Sequence, residues 1–359
     1  EATGDNKTAE KMLKRAVSDN KYDQEYLVLL AKFYEAHDEP LKADKIYEQL
    51  IEDMTSNSRS VIDLYNLFKS QNKNDLAYQT LEKGRKLLKK SYPLNFQFAE
   101  YYGSIGATEK MIGEYLDLID YHPTYMSSIQ QVLSAQMDLS EENSKEYELL
   151  KSALIQRTQK NPDDMNYAEM LTWLFIQRQN FTAALVHVKA MDKRSGADGR
   201  LVYDFGNICI ENKDFTSARK SFKYVVDLGE AGSHFMRGQN ALLNISFLEV
   251  TTRRDFSNQE LDEIIYSYEL VLEKFGKSRT SLPIILELAH IQAFYANKGV
   301  HAIVLLNEAL EFQGLTDMQK AEVKMQLADI HVLHGDIWEG SLLYMQIDND
   351  YKFDVIGNE

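Results

Sequence analysis

The stretch FGNICIENKDFTSARKSF, residues 205–222, contains two short apolar patterns separated by polar residues. In its first half, Phe205 and Cys209 are four residues apart and fall on one face of a helix. Ala218 and Phe222 repeat that interval in the second half. The stretch therefore predicts two antiparallel amphipathic helices joined by a short turn.

The same unit recurs along the chain. Ala9, Ala43 and Ala77 are 34 residues apart, and Ala184 and Ala218 repeat that interval. When the chain is aligned on these residues, other apolar positions form columns. One column is aromatic and belongs to the first helices, where it contains Tyr34, Phe68 and Tyr102. A helix pair of this kind cannot cover its apolar faces alone, so the pattern predicts stacked pairs.

This pattern resembles the tetratricopeptide repeat (TPR), whose signature places a large and a small residue before an aromatic in the first helix, then Ala, an aromatic and a closing Pro. The run from Phe205-Gly206 to Phe222 is the clearest copy, and Pro123 and Pro162 occupy the closing position of two other units. The resemblance implies an all-α fold. It would be an α-solenoid, a right-handed superhelix of antiparallel helix pairs, and such proteins mostly bind other proteins.

The repeat register predicts a single TPR-like solenoid over residues 1–359. It has a partial first repeat at 1–21 and about nine full repeats, beginning near residues 22, 56, 90, 124, 163, 197, 231, 277 and 315. Extra residues near 140 and 251–258 are interpreted as loop insertions, after which Ser257 and Glu260 form a capping box. The partial first repeat and the apolar Phe353, Val355 and Ile356 predict a segment of a longer array.

Charge and composition limit the classes of partner that we expect the chain to bind. The chain has 40 basic and 55 acidic side chains, a formal charge of −15, which disfavours nucleic acid and anionic membranes. The basic run from Lys83 to Lys90 is interpreted as a helix end. No stretch reaches the roughly 18 apolar residues of a membrane span. We therefore expect a protein or peptide partner, no nucleic acid and no membrane insertion.

The location is predicted from a second resemblance. The run Leu327-Ala328-Asp329-Ile330, with Gly335-Asp336-Ile337-Trp338-Glu339 after it, is similar to exported TPR proteins of Bacteroidetes-type bacteria. That resemblance favours an exported, periplasmic location over a cytoplasmic one.

The chain contains Cys, His and Glu residues, but they do not form the sets that a catalytic or metal-binding site requires. Cys209 falls on the apolar face of its helix and is interpreted as a buried small side chain. His331 and His334 have a spacing that suits a metal, yet His331 stands in the aromatic column, which favours a packed side chain. Glu287 and His290 form a single Glu-x-x-His, whereas a di-iron bundle needs two. We expect no enzyme activity, no catalytic residue, no metal and no cofactor.

Partner binding is predicted on the first helices, which line the concave groove in the resembled family. Transferring that geometry gives the groove candidates Lys32, Arg59, Asn66, Phe96, Glu169, Trp173, Tyr203, Asn207, Phe294, Tyr295 and Met325. Two of them, Trp173 and Tyr203, are amphipathic aromatics of adjacent repeats that would anchor a peptide or helix. The alternative is that these two rings pack between neighbouring helices.

The leading hypothesis is therefore a non-enzymatic scaffold or adaptor that binds a partner segment in its groove. One alternative is a regulatory or docking region of a larger enzyme or signalling protein whose catalytic part lies outside this segment. The other alternative is a purely structural array that stacks on neighbouring molecules.

Overall fold

A computed structural model describes residues 6–20, 24–89, 91–141, 144–253 and 255–350. These ranges contain 19 α-helices and no β-strand. The all-α prediction is confirmed. The helices are α1 Asn6–Asp19, α2 Gln24–Ala36, α3 Pro40–Glu52, α4 Ser58–Ser70, α5 Asn74–Leu88, α6 Asn95–Ser104, α7 Thr108–Tyr121, α8 Met126–Gln136, α9 Lys145–Lys160, α10 Met165–Gln177, α11 Phe181–Ser195, α12 Arg200–Glu211, α13 Phe215–Asp227, α14 Phe235–Thr251, α15 Asn258–Phe275, α16 Leu282–His290, α17 Gly299–Leu310, α18 Asp317–Leu333 and α19 Ile337–Asp350.

The helices pack in sequence-adjacent pairs. Helix α2 packs on α3, α4 on α5 and α6 on α7, and the same holds for α12 with α13, α16 with α17 and α18 with α19. Contacts divide the chain into two compact units, Glu1–Met170 and Leu171–Glu359, with the boundary inside α10. Within each unit the pairs are those of a TPR-type α-solenoid. The prediction of one continuous superhelix over 1–359 stays a prediction.

In six of the pairs, one recurring backbone turn joins the two helices. A first-helix carbonyl accepts a hydrogen bond from the N–H five residues later, and we call the residue that supplies this carbonyl the closing residue. The closing residues are Tyr34, Phe68, Tyr102, Phe175, Cys209 and His331, with N···O distances of 2.8–3.0 Å. The residue before each donor has a positive φ, as at Asp38, Asn72, Gly106, Gln179, Lys213 and Gly335. This left-handed residue reverses the chain within three or four residues.

Most residues of the predicted columns are buried, whereas Ala9 and Tyr102 are partly exposed. Ala43, Tyr47, Ala77 and Leu81 are each at most 1% exposed, because the second helices insert them between pairs. His331 occupies the closing position and its side chain is only 16% exposed, so the packed interpretation of this histidine is confirmed. Cys209 is likewise buried.

The predicted insertion near 251–258 is partly loop and partly helix. Helix α14 ends at Thr251 and α15 begins at Asn258, so the connection spans 252–257, whereas three residues separate α2 from α3. The loop interpretation is therefore confirmed in part. The other extra residues add about a turn to each helix, since α14 has 17 residues and α15 has 18, compared with 13 each in α2 and α3. The capping box of Ser257 and Glu260 is confirmed at the start of α15. The apolar residues after 350 lie outside the described residues.

Helix α16 continues into a π-helical segment, Ile291–Tyr295. The turn after it differs from the other turns, because the amide of Lys298 donates to the carbonyl of Gln292 at 2.7 Å, a separation of six residues. Asn297 is the left-handed residue. Gln292 is therefore the closing residue of this pair, with one residue more in its turn.

The small residue of the TPR signature has a packing role at Gly206 in α12. A Cβ added there would lie 2.6 Å from the ring of Phe222, which is fully buried. We expect Gly206→Ala to lower the free energy of unfolding by about 1–3 kcal/mol through overpacking. Thermal unfolding followed by circular dichroism measures the effect.

Gly113 in α7 provides the matched control. It also lies mid-helix, but a Cβ there meets nothing within 4 Å. Gly113→Ala should raise stability by about 0.5–1 kcal/mol, because alanine loses less backbone freedom on folding. Equal effects of the two substitutions would contradict the packing role of Gly206.

Candidate interaction groove

In the unit Glu1–Met170, the candidate residues lie on separate first helices. Asn66 is exposed on α4, in an open and largely polar depression of about 1430 Å³ that also contains Arg59 and Asp63. Phe96 on α6 is 40% exposed, and its ring meets that of Tyr115 edge to face at 5.9 Å. Glu169 on α10 is exposed, although desolvation of its carboxyl raises the pKa.

Trp173 and Tyr203, the two predicted anchors in the unit Leu171–Glu359, are both half-buried. The ring of Tyr203 lies 5.3 Å from that of Phe222 and stacks on His234 at 6.2 Å. Tyr203 therefore packs between α12 and α13, as the alternative interpretation holds for this ring. Asn207 on α12 is also half-buried. Their partner-binding role stays a prediction.

Met325 lies in a well-defined cleft. The cleft runs between the first helices α16 and α18, has a volume of about 640 Å³, and is called here the first-helix groove. Its apolar walls come from Leu282, Leu286, Met318 and Met325. Met318 is 68% exposed. Methionine side chains adapt to differently shaped apolar ligands, and methionine-rich surfaces are common at binding sites.

Phe294 and Tyr295 lie in the π-helical segment that continues α16, one turn beyond the first-helix groove. Each is 40% exposed. The ring of His290, which lines the groove, lies 4.8 Å from Phe294 and 5.7 Å from Tyr295. Tyr295 also meets Phe247 of α14 edge to face at 4.9 Å. Both rings are thus held by the protein while presenting a face to solvent.

A half-buried carboxyl, that of Glu287, lies on the groove wall. Glu287 accepts a hydrogen bond from the side-chain amide of Asn244, and Asn240 is a second donor from α14. Desolvation outweighs these hydrogen bonds and raises the pKa of Glu287 to about 7. The neighbouring hydroxyl of Tyr268 is buried without a hydrogen-bond partner among the described residues. The charge of the groove therefore changes near neutral pH.

The sequence did not predict Glu287 as a groove residue or Asn240 and Asn244 as its hydrogen-bond donors. A signal was present, since Asn240 and Asn244 are four residues apart and put two amides on one face of α14. The extra residues of this helix pair displace the repeat register there.

Other chemistry of the chain is limited to single residues. Within the described ranges, no group of three or more His, Cys, Asp or Glu side chains is arranged to hold a metal ion. None of the helices described is long and apolar enough to cross a membrane. Burial raises the pKa of the Cys209 thiol to about 12. The absence of enzyme activity and cofactors stays a prediction.

Comparisons with known proteins give only distant structural similarities. No family model and no curated protein matches the chain. A tetratricopeptide repeat protein from Parabacteroides merdae is 12% identical over 87% of this chain and 96% of its own, with a TM-score of 0.35. YrrB, a TPR protein with an unusual peptide-binding site, is 10% identical over 58% of this chain and 96% of its own, with a TM-score of 0.31.

A structure of the human IFIT1 dimer with m7Gppp-AAAA is 13% identical over 99% of this chain and 84% of its own, with a TM-score of 0.40. These TM-scores are all below 0.5, so nothing about the partner of this chain follows from them. The exclusion of nucleic acid and the exported location stay predictions. The helix pairs and their recurring turns, rather than these similarities, identify the TPR-type fold.

The raised pKa of Glu287 predicts how stability depends on pH. The folded pKa is about 7 and the ordinary value is 4.5, so the folded state loses stability as pH rises through this window. Glu287→Gln keeps an acceptor for Asn244 and removes the charge. We expect the variant to be more stable than wild type by up to about 3 kcal/mol above pH 7.5, and nearly equal at pH 4.5.

Thermal unfolding at both pH values measures this difference. Glu322→Gln, at an exposed carboxylate of the same groove, is the control and should give no comparable pH-dependent gain. A constant effect of Glu287→Gln across the range would contradict the assigned burial.

The buried Cys209 thiol predicts slow chemical modification. At pH 8 it is protonated and inaccessible, so iodoacetamide should alkylate it only after the surrounding helices open. Mass spectrometry of native and urea-unfolded protein should show modification in the unfolded sample alone. Rapid alkylation of the native protein would disprove the packed position.

Proposed function

We propose that this chain is a non-enzymatic adaptor that binds a segment of a partner protein along the first helices α14, α16 and α18. The single observation that carries the proposal is the first-helix groove with the exposed aromatic pair Phe294 and Tyr295 beside it. The groove supplies an apolar floor, and the pair supplies amphipathic rings. Clefts with these components are the usual binding sites for protein segments.

The aromatic pair supports binding because its rings are rigid before a partner arrives. Contacts with His290 and Phe247 hold Phe294 and Tyr295, so less side-chain freedom is lost on binding than for two unsupported rings. Aromatic residues that combine exposure with such support commonly carry much of the binding free energy.

The charges of the groove select the partner segment. Glu287, Glu322 and Asp329 line it, and no Lys or Arg is among its lining residues. An acidic segment would be repelled by these carboxylates. A segment with apolar side chains and a basic residue fits this site.

Tyr203 is too closely packed to serve as a test position for binding. Replacing Tyr203 by Ala would leave a cavity against Phe222, so lost binding could result from lost packing. Phe294 and Met325 are better test positions, because Phe294 is 40% exposed and Met325 lines the groove.

The expected outcome is selective loss of peptide binding. Random 12-residue peptides displayed on phage are selected on the wild-type chain, and the enriched peptides are measured by fluorescence anisotropy. We expect the Phe294→Ala, Met325→Ala double variant to bind them at least about 10-fold more weakly, which corresponds to about 1.4 kcal/mol.

A control variant shortens two exposed apolar side chains elsewhere in this unit. Val186 and Met345 are 65% and 56% exposed, and the Val186→Ala, Met345→Ala variant should bind like wild type. If none of the enriched peptides distinguishes the two double variants, the result counts against the proposal.

A further inference from the structure

Gln292 is an amide residue at a position that the other pairs fill with an aromatic or sulfur-containing side chain. The closing residues elsewhere are Tyr34, Phe68, Tyr102, Phe175, Cys209 and His331. Gln292 is 5% exposed, and its Oε1 has no hydrogen-bond partner among the described residues. A buried amide oxygen without a donor is destabilising, because on folding it loses the hydrogen bond that it makes with water. This cost indicates a function that an apolar residue would not provide.

Gln292 lines a second cleft, which lies between the second helices α15 and α17 and is called here the second-helix groove. Its volume is about 580 Å³. Leu272, Leu305, Val300 and Val304 form its apolar walls. The two valines are four residues apart on α17 and are 73% and 63% exposed, so they form an apolar strip open to solvent.

The rim of the second-helix groove is acidic. Glu269, Glu273 and Glu308 line it, and the one Lys or Arg among its lining residues is Lys277. Lys277 pairs with Glu308 at 2.6 Å. Within the described residues, Glu269 and Glu273 form no ion pair. The groove thus combines apolar walls, a buried acceptor and uncompensated negative charge.

We infer that the second-helix groove is a separate docking site for a Lys or Arg side chain of a partner protein. The aliphatic stem of such a side chain packs on Val300, Val304 and Leu272. Its cationic end donates to Oε1 of Gln292 and lies near Glu269 and Glu273. Lysine and arginine combine a long apolar stem with a charged donor in this way. A purely apolar side chain would leave the amide oxygen unsatisfied, and an acidic one would be repelled.

Two synthetic helical peptides of 14 residues test the inference. Both carry leucines along one face, and they differ only at a central position, which is Lys in one and norleucine in the other. Norleucine keeps a linear aliphatic chain and removes the ammonium group. We expect the Lys peptide to bind at least about 10-fold more tightly at this groove, since its ammonium group makes a charge-assisted hydrogen bond that norleucine cannot make.

Methyl NMR of protein labelled at Val, Leu and Met locates the binding. The Lys peptide should shift the methyl signals of Val300 and Val304. Met318 and Met325 report separately on the first-helix groove, so failure of one site does not hide binding at the other. Shifts confined to the two methionines would overturn this inference while supporting the proposed function.

Two variants complete the test. Gln292→Leu places an apolar residue in the closing position, as in other pairs, and should reduce the preference for Lys at this groove to less than about 3-fold. Val304→Ser, at an exposed position, should weaken both peptides equally without affecting helicity. An undiminished Lys preference in Gln292→Leu, or equal affinities of the two peptides for wild type, would overturn the inference.

Discussion

The turn that closes six of the helix pairs is the constraint on which much of the structure depends. One hydrogen bond over five residues and one left-handed residue determine where a second helix begins relative to the first. They therefore determine which faces of the pair meet and which remain for the next pair. The burial of Ala43 and Tyr47 on α3, and of Ala77 and Leu81 on α5, follows from that geometry.

Much of the fold could be predicted because a few positions in each repeat are enough to identify the turn and the helices that it joins. The aromatic column at Tyr34, Phe68 and Tyr102 marks the closing position, and the alanines 34 residues apart mark the close approach of second helices. The column even places His331 as a packed residue. Helix length was not predictable in the same way, since α14 and α15 gain a turn each without breaking the amphipathic pattern. Periodicity determines the faces of a helix but does not determine its end.

The candidate grooves were less predictable, because exposure depends on neighbours that are distant in sequence. Phe294, Tyr295 and Met325 were placed on first helices from their register, and the structure describes the first two as partly exposed and the third as lining a cleft. Tyr203 has the same register, yet Phe222 and His234 cover much of its ring. The raised pKa of Glu287 also arises from packing, since α14 buries a carboxyl that looks like an ordinary surface residue in the sequence.

The π-helical segment Ile291–Tyr295 shows how this architecture absorbs a change in chain length. One additional residue widens a single helical turn, and α17 still packs on α16 in the usual way. An insertion inside a helix is thus confined to the repeat where it occurs, and the following pairs keep their contacts. Insertions of this kind are found often near functional positions. A repeat protein can therefore acquire a new side chain at a conserved backbone position by lengthening one helix, without redesigning its neighbours.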